Sequence, residues 1–133
     1  QTNQGKQGAR IIDDTYNANP TSLEAALNVL SNLEGTRYLV LGDMGELGDT
    51  AIELHHDAGV VAKQAGIDGL FTIGDLSINA MEAYGDGALH FESYEALNKV
   101  LLELLTKDTT ILVKGSRAMQ MERIVNRLTE EQN

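Results

Sequence analysis

Ile11-Ile12-Asp13-Asp14-Thr15-Tyr16-Asn17-Ala18-Asn19-Pro20-Thr21-Ser22-Leu23-Glu24 passes from an apolar run through a polar loop into a helix start. Ile11 and Ile12 read as the end of a buried strand. Pro20, the only proline of the chain, suits the first turn of a helix, where its missing N–H has no partner to lose. Thr21 and Glu24 have capping-box spacing, so either Asn19 or Thr21 can serve as the N-cap. Leu23, Ala26, Leu27, Leu30 and Leu33 then recur at helical period and form one apolar face. A strand's carboxyl end and a helix's amino end thus meet between Asp13 and Asn19. In open α/β sheets that is the edge where ligands bind.

The same alternation continues outward from this stretch. Gly35 reads as the C′ glycine of the first helix, and 38–41 as a second buried strand running into Gly42-Asp43-Met44-Gly45-Glu46-Leu47-Gly48. Thr50 and Glu53 repeat the capping-box spacing. The helix they open turns Leu54, Ala58, Val61 and Ala65 inward and stops at Gly66. A third strand at 70–73 leads through Gly74 to a short helix near 75–84, and 88–91 is a weak fourth strand. Ser93 caps a helix with Leu97, Val100, Leu101 and Leu104 on one face. The last strand, 111–113, ends in Lys114-Gly115-Ser116-Arg117, and Met121, Ile124, Val125 and Leu128 stripe a closing helix. Five mostly apolar strands alternating with five helices predict an α/β fold, a parallel sheet covered on both faces. Right-handed crossovers bring loops 13–19, 42–48 and 114–117 to one edge. Residues 1–9 are polar and aperiodic and read as a linker or frayed end, which leaves 10–133 as the domain.

Composition narrows the classes. A chain of 133 residues suits one domain, and 42 % hydrophobic with 23 % charged residues is ordinary globular usage. The absence of cysteine excludes a disulfide framework and a thiolate metal site. The formal net charge of −10, with lysine and arginine scattered, opposes nucleic-acid binding. No apolar run approaches the roughly 20 residues of a membrane helix, and no charged-then-apolar leader opens the chain. The expectation is a soluble, cytoplasmic-type domain with neither a nucleic-acid nor a membrane partner.

Several motifs fail on inspection. The glycines of 42–48 stand near a dinucleotide fingerprint, but Met44 occupies its second glycine position, and Asp43 and Glu46 repel phosphate. A tight structural turn is the better reading. Gly5-Lys6-Gln7-Gly8 lacks the frame of a P-loop. His55 and His56 are adjacent and point apart on a helix, and His90 is isolated, so packed or surface histidines are expected rather than metal ligands. Asp13, Asp14, Asn17 and Asn19 offer acceptors and amides at a strand end, suited to loop capping or to a ligand. Lys114 and Arg117 flank a Gly-Ser pair at a helix start, where an anion or a plain helix cap fits equally.

Asp13–Pro20, the 42–48 loop and Lys-Gly-Ser-Arg-Ala-Met-Gln-Met-Glu at 114–122 resemble, in order and interval, the C-terminal domain of the Mur ligases. The likeness runs from Arg10 to the end and is strongest to the branch that adds D-alanyl-D-alanine. It implies a Rossmann-like three-layer sandwich with a mostly parallel sheet. It also implies an ATP-dependent amide ligase of peptidoglycan synthesis, joining D-alanyl-D-alanine to UDP-N-acetylmuramoyl-tripeptide through an acyl phosphate. In such enzymes the P-loop and the Mg2+ ligands lie in a central domain and the nucleotide sugar on an N-terminal domain. This chain, with no start methionine, is then expected to be a piece of a longer enzyme. It would hold no catalytic or metal residues of its own and would not turn over alone. Carried across, Asp14 matches the acid that contacts the ATP ribose, and Tyr16 and Asn17 line the nucleotide. Lys114, Ser116 and Arg117 help to hold the amino substrate. The family often has a larger residue where Gly45 stands. The competing readings are a freestanding Rossmann- or flavodoxin-like binding or regulatory module and an NAD-dependent oxidoreductase, the latter opposed by the broken glycine fingerprint.

Overall fold

Leu39, Val40 and Leu41 are consecutive and all fully buried. A strand permits that only where both faces of its sheet are covered. In the computed structural model, which describes residues 1–16 and 18–129, the elements are β1 (Thr2–Gln4), β2 (Arg10–Asp14), α1 (Pro20–Ser31), β3 (Thr36–Gly42), α2 (Ala51–Gln64), β4 (Gly69–Ile73), α3 (Ile78–Tyr84), β5 (Ala88–Phe91), α4 (Tyr94–Leu104), β6 (Thr109–Lys114) and α5 (Glu122–Thr129). Among the described residues the sheet order is β1-β2-β6-β3-β4-β5. β2, β6, β3, β4 and β5 run parallel, and β1 is antiparallel to β2.

Side chains alternate across each strand and divide the core in two. Leu39, Leu41, Leu70 and Leu112 pack with Leu23, Leu27 and Leu30 of α1, Ala58 and Ala62 of α2, and Ala80 and Tyr84 of α3. On the other face Val40, Phe71, Ile111 and Val113 meet Leu97 and Leu101 of α4 and Ile124, Val125 and Leu128 of α5. Each buried leucine or isoleucine contributes about 1.5–3 kcal/mol of transfer free energy. The three-layer α/β sandwich is as expected.

Local chemistry sets the helix starts. Asn19, not Thr21, caps α1: its Oδ1 accepts from Ser22 N–H at 2.9 Å, and Ser22 Oγ accepts from Asn19 N–H at 3.3 Å. The partner in this capping box is thus Ser22 rather than Glu24. Ser93 caps α4 as read, its Oγ accepting from Ala96 N–H at 3.1 Å.

Four local readings are corrected. Thr2–Gln4 is a strand, not an element-free end, because an edge strand needs only one ladder and no apolar face; its polar side chains suit an exposed edge. Thr50 makes no side-chain cap, since a 3-10 turn at Gly48–Thr50 leads directly into α2 and Thr50 Oγ donates to Leu47 O at 2.9 Å instead. Gly35 lies beyond the helix C-cap, Asn32. It serves a turn with φ +87°, where a Cβ would stand 2.2 Å from Asp108 O. The inward face of α2 centres on His55, Ala58, Gly59 and Ala62, leaving Leu54, Val61 and Ala65 at its margins. The rotation follows from a close helix crossing, because a Cβ on Gly59 would meet Ala80 O of α3 at 2.1 Å.

Candidate functional site

Because β6 lies between β2 and β3, the three polar loops emerge side by side at one sheet edge. Register then dictates the first contact: Asp14 and Lys114 are partners across parallel strands, so their side chains leave the sheet on the same face. Asp14 Oδ2 accepts from Lys114 Nζ at 2.7 Å. The lysine side chain is 0 % exposed and the aspartate 38 %. A buried ammonium costs several kcal/mol unless paired, so the carboxylate holds the lysine and the lysine aims the carboxylate.

The first loop leaves β2 through an Asx turn. Asp13 Oδ1 accepts from Thr15 N–H at 3.2 Å and from Thr15 Oγ at 2.8 Å. Thr15 is thereby buried and Tyr16 turned outward, 67 % exposed. Arg117, at the start of the 3-10 turn Arg117–Met119, lies 5.8 Å from the Tyr16 ring centroid, a cation–π contact across the loops. Tyr16, Asn19, Glu46, Leu47, Ser116 and Arg117 are among the residues lining a cleft of about 490 Å³. The structure therefore joins Asp14 to Lys114, and Tyr16 to Arg117 and Ser116. Asn17 lies outside the described residues.

The contacts that fix this edge are not legible in the sequence. Asp43 Oδ1 accepts from Ser77 N–H at 2.8 Å and from Leu76 N–H at 3.1 Å, tying the second loop to the start of α3. Its backbone carbonyl accepts from Ser116 N–H at 2.9 Å, tying it to the third loop. His55, fully buried, accepts at Nε2 from Met44 N–H (2.9 Å) and lies 2.7 Å through Nδ1 from Ala51 O, which fixes the Nδ1–H tautomer. Of the two readings, packed or surface histidine, His55 is the packed one. Its place on the inward face of α2 is not legible in the sequence, whose periodicity turns Leu54, Ala58, Val61 and Ala65 inward instead. Gly42 and Gly115 are glycines for packing: a Cβ on either would stand 2.6 or 2.5 Å from Met121. The structural-turn reading of 42–48 fits this. A Cβ on Gly45 would lie 3.4 Å from Ser116 Cβ, ordinary contact, so packing does not demand glycine there. Tyr94 OH donates to Met119 O and steadies the third loop. Burial pushes this phenol up, with Arg123 opposing.

Among the described residues no three histidine, aspartate or glutamate side chains converge as a metal site needs, and no helix is long and apolar enough to cross a membrane.

Comparison with known proteins agrees with this fold. The family model described as "Mur ligase, glutamate ligase domain" matches residues 1–117. The UDP-N-acetylmuramoyl-tripeptide–D-alanyl-D-alanine ligase of Escherichia coli is 43 % identical over 122 residues, covering 90 % of this chain and 27 % of that protein. The chain thus spans about a quarter of the length of such curated relatives. A crystal structure of MurF from Acinetobacter baumannii superposes with a TM-score of 0.88 at 34 % identity, covering 98 % of this chain and 30 % of that one. MurF ligase from Thermotoga maritima in complex with ADP gives 0.86 at 26 % identity, covering 96 % and 29 %.

Proposed function

This chain belongs to the Mur ligase family, and on that premise we propose that its loop edge is the part of an ATP-dependent peptidoglycan-precursor ligase that receives the nucleotide and the incoming amino substrate. In the proposed reaction ATP phosphorylates the terminal carboxylate of UDP-N-acetylmuramoyl-tripeptide. The amine of D-alanyl-D-alanine attacks the acyl phosphate, a C–N bond forms and phosphate leaves. Residues 10–133 act as the domain, and residues 1–9, whose strand completes the sheet edge, join it to the N-terminal and central domains. Substrates of this kind place the reaction in the cytoplasm.

The observation that carries this reading is the convergence of the Asp14–Lys114 and Tyr16–Arg117 pairs at the edge formed by β2, β6 and β3. Asp14, half-exposed and aimed by Lys114, suits the hydroxyls of a ribose as an acceptor. Tyr16 offers an exposed ring to the nucleotide, and Asn17 follows it in sequence. Ser116 and Arg117 face the cleft and suit a substrate carboxylate, which a guanidinium can grip with two hydrogen bonds. Lys114 is fully buried, so it acts on the substrates through Asp14. Positioning of this kind raises rate by holding nucleophile and electrophile in line. Magnesium finds no ligand cluster among the described residues, and no step here runs through it.

The test is a ligation assay on the complete enzyme that contains this chain, read as product mass and released phosphate. Arg117→Ala is expected to lower kcat/KM for the dipeptide on the order of tenfold or more, with UDP-tripeptide binding retained. An unchanged kcat/KM would overturn the assignment.

A further inference from the structure

Glu46 occupies a backbone conformation that its residue type disfavours. Its φ is +58°, in the left-handed region where glycine sits freely and other L-residues are strained. Glycines stand close by at 45 and 48, yet this cleft-lining position carries a carboxylate. Strain of this kind points toward function when the side chain faces a site. The carboxylate has no ion-pair or hydrogen-bond partner among the described residues. Arg117, lining the same cleft, touches the Tyr16 ring and likewise has no carboxylate within ion-pair distance there. One cleft therefore presents an uncommitted anion and an uncommitted cation that do not neutralise each other.

The sign of the ligand follows from electrostatics. A polyanion such as a nucleotide's phosphate chain gains from Arg117 and loses to Glu46, whereas a zwitterion gains from both. Ser116 and Asn19 add neutral hydrogen-bonding groups on the cleft wall. Resting on the functional reading above, we propose that this cleft is the subsite for the amino substrate, a small zwitterionic peptide whose carboxylate meets Arg117 and whose amino end meets Glu46. Glu46 is then a specificity-determining residue, rejecting peptides with a blocked or missing amine. The nucleotide lies on the Asp14 side, with Tyr16 as the shared wall.

Steady-state kinetics of the complete ligase test this, with D-alanyl-D-alanine and ATP varied in turn. Glu46→Gln is expected to raise the KM of the dipeptide on the order of tenfold, the worth of a charge-assisted contact, and to leave the KM of ATP in place. Glu46→Gly, which removes the carboxylate while favouring the left-handed backbone, is expected to raise the dipeptide KM equally. N-acetyl-D-alanyl-D-alanine should inhibit the unmodified enzyme and the Gln variant with similar weak affinity. A dipeptide KM unchanged in both variants overturns the inference but leaves the ligase reading intact, as does a rise confined to ATP. Absence of dipeptide ligation by the unmodified enzyme overturns both.

Discussion

Gly59→Ala sets two effects of opposite sign against each other. In a helix interior alanine is favoured over glycine by about 1 kcal/mol, so propensity alone predicts a more stable protein. Against it, the new methyl would stand 2.1 Å from Ala80 O, 2.8 Å from Ala80 C and 2.9 Å from Ala80 Cα. All three are backbone atoms, so no rotamer change relieves the clash, and α2 and α3 must part by more than an ångström to reach ordinary contact. Overpacking of this kind costs about 1–3 kcal/mol, sometimes more, and separation also opens gaps around Ala58, Ala62 and Ala80, all buried in the same core. The net expectation is a loss of about 2 kcal/mol. For a domain of this length that lowers Tm by roughly 5–10 °C. The consequence reaches the site, because α2 carries His55, which holds Met44 N–H, and the start of α3 is held by Asp43. Thermal melts of the 133-residue chain followed by far-ultraviolet circular dichroism measure the change. An equal or higher Tm would mean that propensity wins and that the helices do not cross as tightly as described.

Two further perturbations probe the Asp14–Lys114 pair and the buried phenols. Asp14→Ala is expected to cost about 2–3 kcal/mol, because a fully buried ammonium loses its carboxylate, whereas Lys114→Met costs about 1 kcal/mol, because Asp14 is more than a third exposed and can hydrate; equal losses by chemical denaturation would contradict the asymmetry. The phenols of Tyr84 and Tyr94 are pushed up from their ordinary value near 10, first of all by burial. The unfolded chain then releases these protons first, so their stabilising contribution is complete below about pH 10 and lost as pH rises through the raised native values. Tyr84→Phe, which also removes the 2.9 Å hydrogen bond to Ile67 O, should flatten that alkaline fall, and an unaltered pH profile of urea midpoints would refute the assignment.

Much of the fold was legible because it is written in local patterns. Continuous apolar runs such as 38–41 and 111–113 announce strands buried on both faces, and Asn19-Pro20 and Ser93 announce helix starts. Where local pattern is silent, reading fails for identifiable reasons. Thr2–Gln4 is defined by its ladder to β2 rather than by its side chains. The face of α2 is set by a neighbour, since Gly59 is apolar by omission and matters only because Ala80 stands opposite. The site divides the same way. Asp14, Tyr16, Lys114, Ser116 and Arg117 are candidates by resemblance and by their place at strand ends, but that Asp14 and Lys114 touch depends on strand register across 100 residues. The clamp from Asp43 to Ser77 spans 34 residues, and Glu46, noticed in the sequence only as a charge that repels phosphate, shows its left-handed backbone only in the fold. Long-range partnership and left-handed strain leave no periodic trace.

Loops 13–19, 42–48 and 114–119 are expected to form the substrate-binding edge together. Amide hydrogen exchange of the complete ligase measures it directly, with UDP-tripeptide alone and then with a non-hydrolysable ATP analogue and D-alanyl-D-alanine added. New protection is expected to concentrate in those three loops, with that of 42–48 depending on the dipeptide. Protection absent from all three, or confined to the opposite sheet edge around Gly35 and Asp108, would contradict it.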